Sequence, residues 1–263
     1  MAARLGLRVA VVTRLARRDL GSLKELAQVG VYIIVRESAF STCLRLIYPT
    51  DDPDQRTIEV IARAEPFALE DVPSTSSRAY HIGPSIRGEV PAGIVRALKA
   101  RGAFLSLDAQ GYVRVAENGQ VRLDRWEECQ HTLQWVDLLK VDAAEAELMT
   151  GCSDIGIAIA RLAEMGPREV LLTHRGGVMA WVEGQVYRAP FRVDQVRGRT
   201  GRGDTCTGAY LSKRLLNATA QEATLWAAAV TSLKLEETGP FRRTIDQVRA
   251  LIREEYSGAD SAR

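Results

Sequence analysis

Short apolar runs alternate with helix-like segments along most of the chain from residue 77 onward. The helix-like segments carry alanine and leucine at helical spacing, with charged residues between them. Strands that alternate with helices form parallel sheets. This part of the chain therefore predicts a doubly wound α/β fold with a mainly parallel sheet flanked by helices. The predicted strands are 79–83, 103–111, 135–141 and 169–174, and the second range includes the loop that follows the strand.

The first 62 residues follow a different pattern. Residues 7–13 form a valine-rich run typical of a buried strand, and the segment up to Gln28 carries leucines and charges at helical spacing. No helix-like segment separates the next three strand-like runs. We expect these runs to form a small antiparallel sheet, inserted in the main fold or laid beside it. They are 31–35, 42–49 and 56–62.

A hairpin and a helical region complete the pattern. Runs 178–182 and 185–189 flank Glu183-Gly184 and predict two antiparallel strands joined by a tight turn. From Asp204 onward, the apolar spacing predicts helices.

Composition places the chain among ordinary globular proteins. With 263 residues, 46% of them hydrophobic, it can bury the core of one large domain, or of one domain and a small appendage. The net charge is +2, and the arginines are scattered among acidic residues, which argues against a nucleic-acid partner. No apolar run approaches the ~20 residues of a membrane span, so no membrane contact is expected.

Cysteine and histidine usage adds little chemistry. The four cysteines lie far apart, without a CxxC pair, and no signal peptide precedes them, so we expect reduced thiols in a cytoplasmic protein. The three histidines are isolated in sequence, and we expect each to make local hydrogen bonds rather than to bind a metal. They are His81, His131 and His174.

Polar residues follow several of the predicted strands. In doubly wound sheets, ligands bind beyond the carboxyl ends of the strands, so these residues are expected to converge on one site. The set comprises Asp108 with Gln110, Lys140 with Asp142, Thr173 with Arg175, and the glycine-rich turn at 197–209.

The glycine-rich turn has two interpretations. Gly201 and Gly203 would let backbone amides point into a concavity at the start of a helix, where an anion such as a phosphate binds well. Asp204 at its edge could then take a proton from an attacking hydroxyl. Alternatively, Asp204 is the N-cap of the helix and the glycines serve the turn.

The spacing of Asp142 and Glu145 also has two interpretations. Two carboxylates three residues apart at a helix start could reach a Mg²⁺ ion, directly or through water. The same spacing is that of a capping box, and both interpretations can hold at once.

Two further segments carry weaker signals. Thr173, Gly176 and Gly177 could shape a nucleotide pocket or only turn the chain into the hairpin. Asp108 and Gln110 could bind substrate hydroxyls or only form a polar strand exit.

Taken together, these segments resemble the PfkB/ribokinase family of ATP-dependent small-molecule kinases. Residues 200–211 are similar to the family's C-terminal signature, a T-G-A-G-D core followed by a helix of small residues. Residues 136–151 are similar to its Asn-x-x-Glu segment, and 170–177 to its Thr-Leu-Gly nucleotide strand. The strands of 31–62 match its β lid.

The resemblance implies a ribokinase-like fold, with a nucleotide-binding and catalytic α/β domain over 1–30 and 63–263 and a lid over 31–62. Asp204 would be the catalytic base, and the anion hole would consist of Gly201, Arg202 and Gly203. Mg²⁺ would interact with Glu145. The residues implied for ATP are Lys140, Asp142, Thr173, Arg175, Gly176, Gly177 and Thr200, and those implied for the acceptor are Arg36, Asp108 and Gln110.

The implied activity is in-line transfer of the γ-phosphoryl group of ATP to a hydroxyl of a small sugar or polyol. Segments 81–91 and 107–114 resemble the branch that includes inositol kinases. A nucleoside kinase is one alternative, and a weakly active member that binds a nucleotide or metabolite as a sensor is another. An exposed lid edge could pair with a second copy to give a homodimer.

Several positions depart from the family pattern. Arg202 replaces an alanine, Asp142 an asparagine and Arg175 a glycine; Arg202 could either stabilise or obstruct the transferred phosphoryl group. The first twelve residues are similar to the end of the family's first helix and its second strand. We therefore expect a truncated chain without the first strand and its Gly-Gly turn.

Overall fold

The computed structural model describes residues 1–50 and 56–256. Within them, the strands in chain order are β1 (Ala10–Leu15), β2 (Tyr32–Glu37), β3 (Cys43–Ile47), β4 (Thr57–Ala62), β5 (Ala79–Ile82), β6 (Phe104–Asp108), β7 (Arg114–Glu117), β8 (Gln120–Leu123), β9 (Leu138–Asp142), β10 (Glu169–His174), β11 (Gly177–Val182) and β12 (Gln185–Pro190).

The α-helices of the same residues are α1 (Lys24–Gln28), α2 (Ala92–Lys99), α3 (Gln110–Val113), α4 (Cys129–Leu133), α5 (Ala143–Thr150), α6 (Ile155–Glu164), α7 (Arg202–Leu215), α8 (Ala220–Leu235) and α9 (Ile245–Glu255). In this part of the chain, no helix has the length and apolar character needed to cross a membrane.

A six-stranded sheet forms the centre, in the order β12-β11-β10-β9-β6-β5. Strands β5, β6, β9 and β10 run parallel, and β11 and β12 are antiparallel additions at one edge. Helices connect the parallel strands and cover both faces of the sheet. The predicted doubly wound α/β fold is confirmed, and so is the predicted hairpin around Glu183-Gly184.

Side chains of the central strands alternate between two hydrophobic cores. Along β9 and β10, Leu139 and Leu172 belong to the core beneath α2, α4, α5 and α6. Leu138 and Leu171 belong to the core beneath α7, α8 and α9. Because the side-chain period of a strand is two, Lys140 lies on the same face as Leu138, and Thr173 lies on the same face as Leu171. Both polar residues therefore face α7. This alternation determines on which face the site forms.

Strand β2 does not join the antiparallel sheet that the sequence predicted. It pairs in parallel with β1, from Ala10 opposite Tyr32 to Leu15 opposite Glu37. The segment 17–28 folds into a 3-10 turn followed by α1 and connects the two strands as a helical crossover. The prediction failed because three neighbouring strand-like runs were assumed to pair with one another.

The antiparallel sheet, the lid, has four strands in the order β3-β4-β8-β7. Two of them, β7 and β8, come from residues 114–123, which were not predicted to form strands. Asn118 and Gly119 join β7 to β8, and both have the positive φ angles of a tight hairpin turn. An Asn-Gly pair between valine-containing runs is a strong hairpin signal, so the sequence did contain the information.

The predicted lid limits of 31–62 therefore agree with the structure for β3 and β4 alone. Residues 51–55 of that span lie outside the described residues. The division of the chain into two domains is a separate question and stays a prediction.

Gly177 allows a close approach of two strands, which gives a testable prediction. A Cβ atom at this position would lie 2.4 Å from the carbonyl oxygen of Ala189 and 2.9 Å from Cα of Pro190, and backbone atoms in a hairpin move little. We expect Gly177→Ala to lower the free energy of unfolding by about 1–3 kcal/mol, measured by urea denaturation.

Gly93 provides the matched control. It lies in α2, and no heavy atom lies within 4 Å of the Cβ position. Gly93→Ala should leave the stability unchanged or raise it by up to about 1 kcal/mol. Equal effects of the two substitutions would contradict the steric explanation.

Candidate active site

A cavity of about 610 Å³ lies between the lid and the carboxyl ends of β6, β9 and β10. Lid strands β3, β4 and β8 contribute apolar side chains, among them Leu44, Ile58 and Val121. The glycine-rich turn closes the opposite side. Most of the predicted site residues line this one cavity: Asp108, Gln110, Lys140, Asp142, Glu145, Thr173, Arg175, Thr200, Gly201, Arg202, Gly203 and Asp204.

The glycine-rich turn ends at the N-cap of α7. Gly201 is that N-cap, with a φ angle of 80° that other residues adopt only with strain. Helix α7 begins at Arg202, so Asp204 lies inside the first turn and its side chain is exposed. The interpretation of Asp204 as N-cap is therefore wrong. The backbone N–H of Arg202 donates to the oxygen of Arg199 at 3.1 Å, and no side chain of the described residues caps the helix. The other amides of the first turn and the positive end of the helix dipole lie at the cavity, which favours an anion there.

Lys140 lies directly beneath this turn. A Cβ atom on Gly203 would be 3.3 Å from Nζ of Lys140, so the missing side chain brings the ammonium group close to the turn. Lys140 is buried, and burial alone would lower its pKa. The carboxylates of Asp108, Glu145 and Asp142 outweigh this effect and raise the pKa above its usual value. The lysine therefore carries its charge at any physiological pH.

Asp142 and Glu145 form the predicted capping box at the start of α5. The backbone N–H of Glu145 donates to Oδ1 of Asp142 at 2.9 Å, and the N–H of Asp142 donates to Oε2 of Glu145 at 2.8 Å. Oε1 of Glu145 accepts a hydrogen bond from Nη2 of Arg114, the first residue of β7, at 3.3 Å. Glu145 thus connects the floor of the cavity to the lid.

Burial and the neighbouring carboxylate of Asp142 raise the pKa of Glu145 to about 7, and the cations Lys140 and Arg114 act in the opposite direction. Within residues 1–50 and 56–256, no group of three or more His, Cys, Asp or Glu side chains is arranged to hold a metal. Mg²⁺ characteristically keeps several waters and binds through one or two carboxylates plus substrate phosphates. The carboxylates of Asp142 and Glu145 fit that limited role.

The lid contacts the glycine-rich turn and the loop after β5. The hydroxyls of Tyr48 and Thr200 lie 3.4 Å apart, which joins the end of β3 to the turn. At the other end of β3, Oγ1 of Thr42 donates to Glu89, whose second oxygen accepts from the backbone N–H of Ser85. These contacts hold the lid over the cavity.

Basic side chains outnumber carboxylates around the cavity, and the sequence analysis missed most of them. Four carboxylates contribute to the lining. Burial lowers the pKa of His174 at the cavity wall, and Arg202 lowers it further, so this histidine is neutral. The seven cationic lining residues are Arg56, Arg114, Arg122, Lys140, Arg175, Arg199 and Arg202. The first three lie on or beside lid strands, two of which were not predicted.

The hydroxyl of Thr173 is directed to this site without a partner. Thr173 is 1% exposed, and its Oγ1 makes no hydrogen bond within the described residues. A buried hydroxyl without a partner is costly, so its position at the cavity indicates a place for a polar ligand atom.

Three predicted site residues lie outside the cavity lining. Arg36 donates through Nε to the backbone oxygen of Asp71 at 3.0 Å. Gly176 belongs to the turn between β10 and β11, and Gly177 begins β11. The alternative of ordinary turn chemistry accounts for the two glycines, and the ion pair with Asp71 accounts for Arg36.

The raised pKa of Glu145 predicts a pH dependence of stability. The proton is bound more tightly in the folded chain than in the unfolded one. The free energy of unfolding of the wild type, minus that of Glu145→Gln, should therefore fall as pH rises from about 4.5 to 7 and stay constant above that range. We expect a fall on the order of 1–3 kcal/mol, measured by urea denaturation between pH 4.5 and 8. Glu254→Gln, at an exposed position of α9, is the control; a difference independent of pH would contradict the assignment.

Comparisons with known proteins agree with this geometry. The family model described as "pfkB family carbohydrate kinase" matches residues 1–244. No curated protein sequence matches the chain significantly. Among solved structures, a pyrophosphate-dependent kinase in the ribokinase family, in complex with sulfate, is 37% identical with a TM-score of 0.88, over 95% of this chain and 88% of that one.

Two further structures are similar. A pyrophosphate-dependent kinase in the ribokinase family, complexed with a pyrophosphate analog and myo-inositol, is 35% identical with a TM-score of 0.87, over 95% of this chain and 88% of that one. Arabidopsis thaliana ribokinase, complexed with ribose and ATP, is 22% identical with a TM-score of 0.75, over 96% and 84% of the two chains, and shows the shared fold. The chain belongs to the pfkB family of carbohydrate kinases and is a phosphotransferase with an alcohol group as acceptor.

Proposed function

We propose that the protein transfers a phosphoryl group from pyrophosphate to a hydroxyl of a small polyol, with an inositol as the first acceptor to test. The observation that carries this proposal is the concentration of seven cationic side chains around one cavity that also contains the start of α7. The relatives at 35–37% identity support it, because they are described as pyrophosphate-dependent and one of them holds myo-inositol.

The same cavity offers little to a nucleobase. Its lining, within the described residues, includes no Phe, Tyr or Trp on which a base could stack. His174 ends β10 and Arg175 follows it, at the position predicted from the sequence to border a nucleotide. Pyrophosphate has no base and carries its charge over a short span, so it matches a compact basic cavity better. ATP, the donor implied by the sequence, stays a prediction and is the competing donor in the assay.

In the proposed mechanism, Asp204 takes the proton of the attacking hydroxyl, whose oxygen forms a bond to one phosphorus of pyrophosphate. The bridging P–O bond breaks, and inorganic phosphate leaves. The amides at the start of α7, with Arg202 and Lys140, stabilise the charge of the phosphoryl group during transfer. Thr173 donates its free hydroxyl to the donor. A bound Mg²⁺ would neutralise donor oxygens, with Asp142 and Glu145 as the residues that would interact with it.

Other properties remain proposals. All four cysteines are free, which fits a reducing cytoplasmic location.

Ile47 and Ile61 are exposed on lid strands, where a second copy could pair to form a homodimer. A nucleoside kinase and a sensor without turnover are the alternatives that the assays below would reveal.

The donor is tested by measuring Mg²⁺-dependent phosphorylation of polyols, hexoses and nucleosides with either pyrophosphate or ATP. We expect kcat/KM to be at least about 100-fold higher with pyrophosphate, because the cavity recognises phosphate charges and no base. Arg175→Ala should raise the KM for pyrophosphate by roughly 10- to 100-fold through the loss of a charge-assisted contact.

Arg188→Ala is the control for the charge change, since Arg188 is exposed on β12 outside the cavity. Equal use of ATP and pyrophosphate, or an unaffected Arg175→Ala, would contradict the donor assignment. Binding of pyrophosphate without turnover of any acceptor would identify a sensor.

Asp204→Asn tests the proposed base. The variant should lower kcat by about 10²–10⁴-fold because the hydroxyl keeps its proton, while pyrophosphate binding, measured by calorimetry, is retained. Asp246→Asn is the control, since Asp246 is also an acidic residue in the first turn of a helix, α9, away from the cavity. An Asp204→Asn variant with wild-type kcat would exclude Asp204 as the base.

A further inference from the structure

His81 lies on β5 beside the predicted acceptor-binding residues. In the sheet register, it is opposite Ser106 of β6. Its Nδ1 lies 2.9 Å from Oγ of Ser106, and Ser106 itself is completely buried. His81 nevertheless keeps part of its surface exposed, because β5 is an edge strand of the six-stranded sheet. A ring that is held at Nδ1 and partly accessible is suited to contact a ligand.

The position of His81 on the sheet leads to the proposed reaction centre. Ser106 and Asp108 point to the same face of β6, since they are two residues apart. Asp108 is paired with Lys140 on β9, and Lys140 contacts Gly203, the neighbour of Asp204. His81 therefore begins a row of polar groups on the face toward α7, and this row ends at the proposed base.

The second ring nitrogen, Nε2, lies beside Gly83. A Cβ atom on Gly83 would lie 3.2 Å from Nε2 of His81, so a larger residue at position 83 would crowd this nitrogen. The backbone of this loop is held in place: Nε2 of Gln110 donates to the oxygen of Pro84 at 3.3 Å, and Pro84 packs against Gly111. Because Gly83 has no side chain, residue 83 leaves Nε2 of His81 uncovered on this side.

Desolvation keeps His81 neutral in spite of two nearby carboxylates. Enclosure of the ring by the surrounding protein lowers the pKa of His81, and Lys140 on β9 acts in the same direction to a smaller extent. Asp108 on β6 and Asp204 on α7 act in the opposite direction but do not reverse the shift. A neutral imidazole with Nδ1 bonded to a serine hydroxyl has Nε2 available either as donor or as acceptor. A polyol hydroxyl can serve as the partner in both cases.

We propose that His81 binds a hydroxyl of the phosphate acceptor through Nε2 and so helps to select which acceptor hydroxyl reaches Asp204. The inference rests on the proposed function, because it names a residue of the acceptor site for that reaction. Ser106 is a positioning residue that fixes the orientation of the ring.

The three histidines allow a direct test by NMR of the imidazole groups, with assignments from single His→Gln variants. Myo-inositol and the other polyols of the assay are titrated first, and pyrophosphate separately. We expect polyol to shift the His81 signals and pyrophosphate to shift those of His174, which lines the cavity. His131, on α4 outside the cavity, should respond to neither and serves as the internal control.

A second measurement uses kinetics and product analysis of the full chain. His81→Gln and Ser106→Ala should raise the KM for the acceptor by about three- to tenfold, the loss of one neutral hydrogen bond, and leave the KM for pyrophosphate unchanged. The variants should also change the ratio of phosphorylated positions, read by ³¹P and ¹H NMR of the product. His131→Gln should change none of these quantities.

The outcomes separate this inference from the proposed function. Polyol-dependent shifts of His81 without turnover would support the acceptor site and overturn the proposed reaction. Turnover with unmoved His81 signals, and with unaltered KM and product ratio in His81→Gln, would overturn the role of His81 and leave the reaction intact. If no polyol shifts His81 and none is turned over, both proposals are wrong.

Discussion

The burial of one positive charge organises the site. Lys140 is 3% exposed and lies on a strand between two hydrophobic cores, where an unpaired ammonium group would cost several kcal/mol. Asp108, Asp142 and Glu145 offset this cost, and they come from β6 and from the β9–α5 junction. The charge of Lys140 can be compensated only where the ends of β6 and β9 and the start of α5 converge. This convergence creates the floor of the cavity.

The glycine-rich turn depends on the same charge. Gly203 can lie against the ammonium group only because it has no side chain, and Gly201 turns the chain into α7 with a positive φ angle. The result is an arrangement in which a buried cation and the N-terminus of a helix act on the same region of the cavity. An anion entering there meets groups that are already oriented, so little reorganisation is needed when charge develops.

The lid adds further positive charge to the other side of the cavity. Its strands come from two parts of the chain that are far apart in sequence, 43–47 with 57–62 and 114–123. Arg56, beside the first part, and Arg114 and Arg122 of the second belong to the lining. Arg114 connects the lid to Glu145, while Tyr48 connects it to Thr200. The lid and the glycine-rich turn are thus coupled through polar contacts. The arginines account for the basic character of a cavity whose roof is otherwise formed by leucine, isoleucine and valine.

The sequence by itself determined the parallel core, the hairpin, the capping box and most of the residues that line the cavity. Each of these depends on local periodicity or on a short motif, such as alternating apolar runs or Asp142 with Glu145. It also encodes the turn at Asn118-Gly119, because an Asn-Gly pair between two strand-like runs favours a tight hairpin. The parallel pairing of β2 with β1, the assembly of the lid and the exclusion of Arg36 from the cavity were decided by the tertiary structure. Strand pairing and the direction of a long side chain depend on contacts between residues distant in sequence, and no local pattern encodes those contacts.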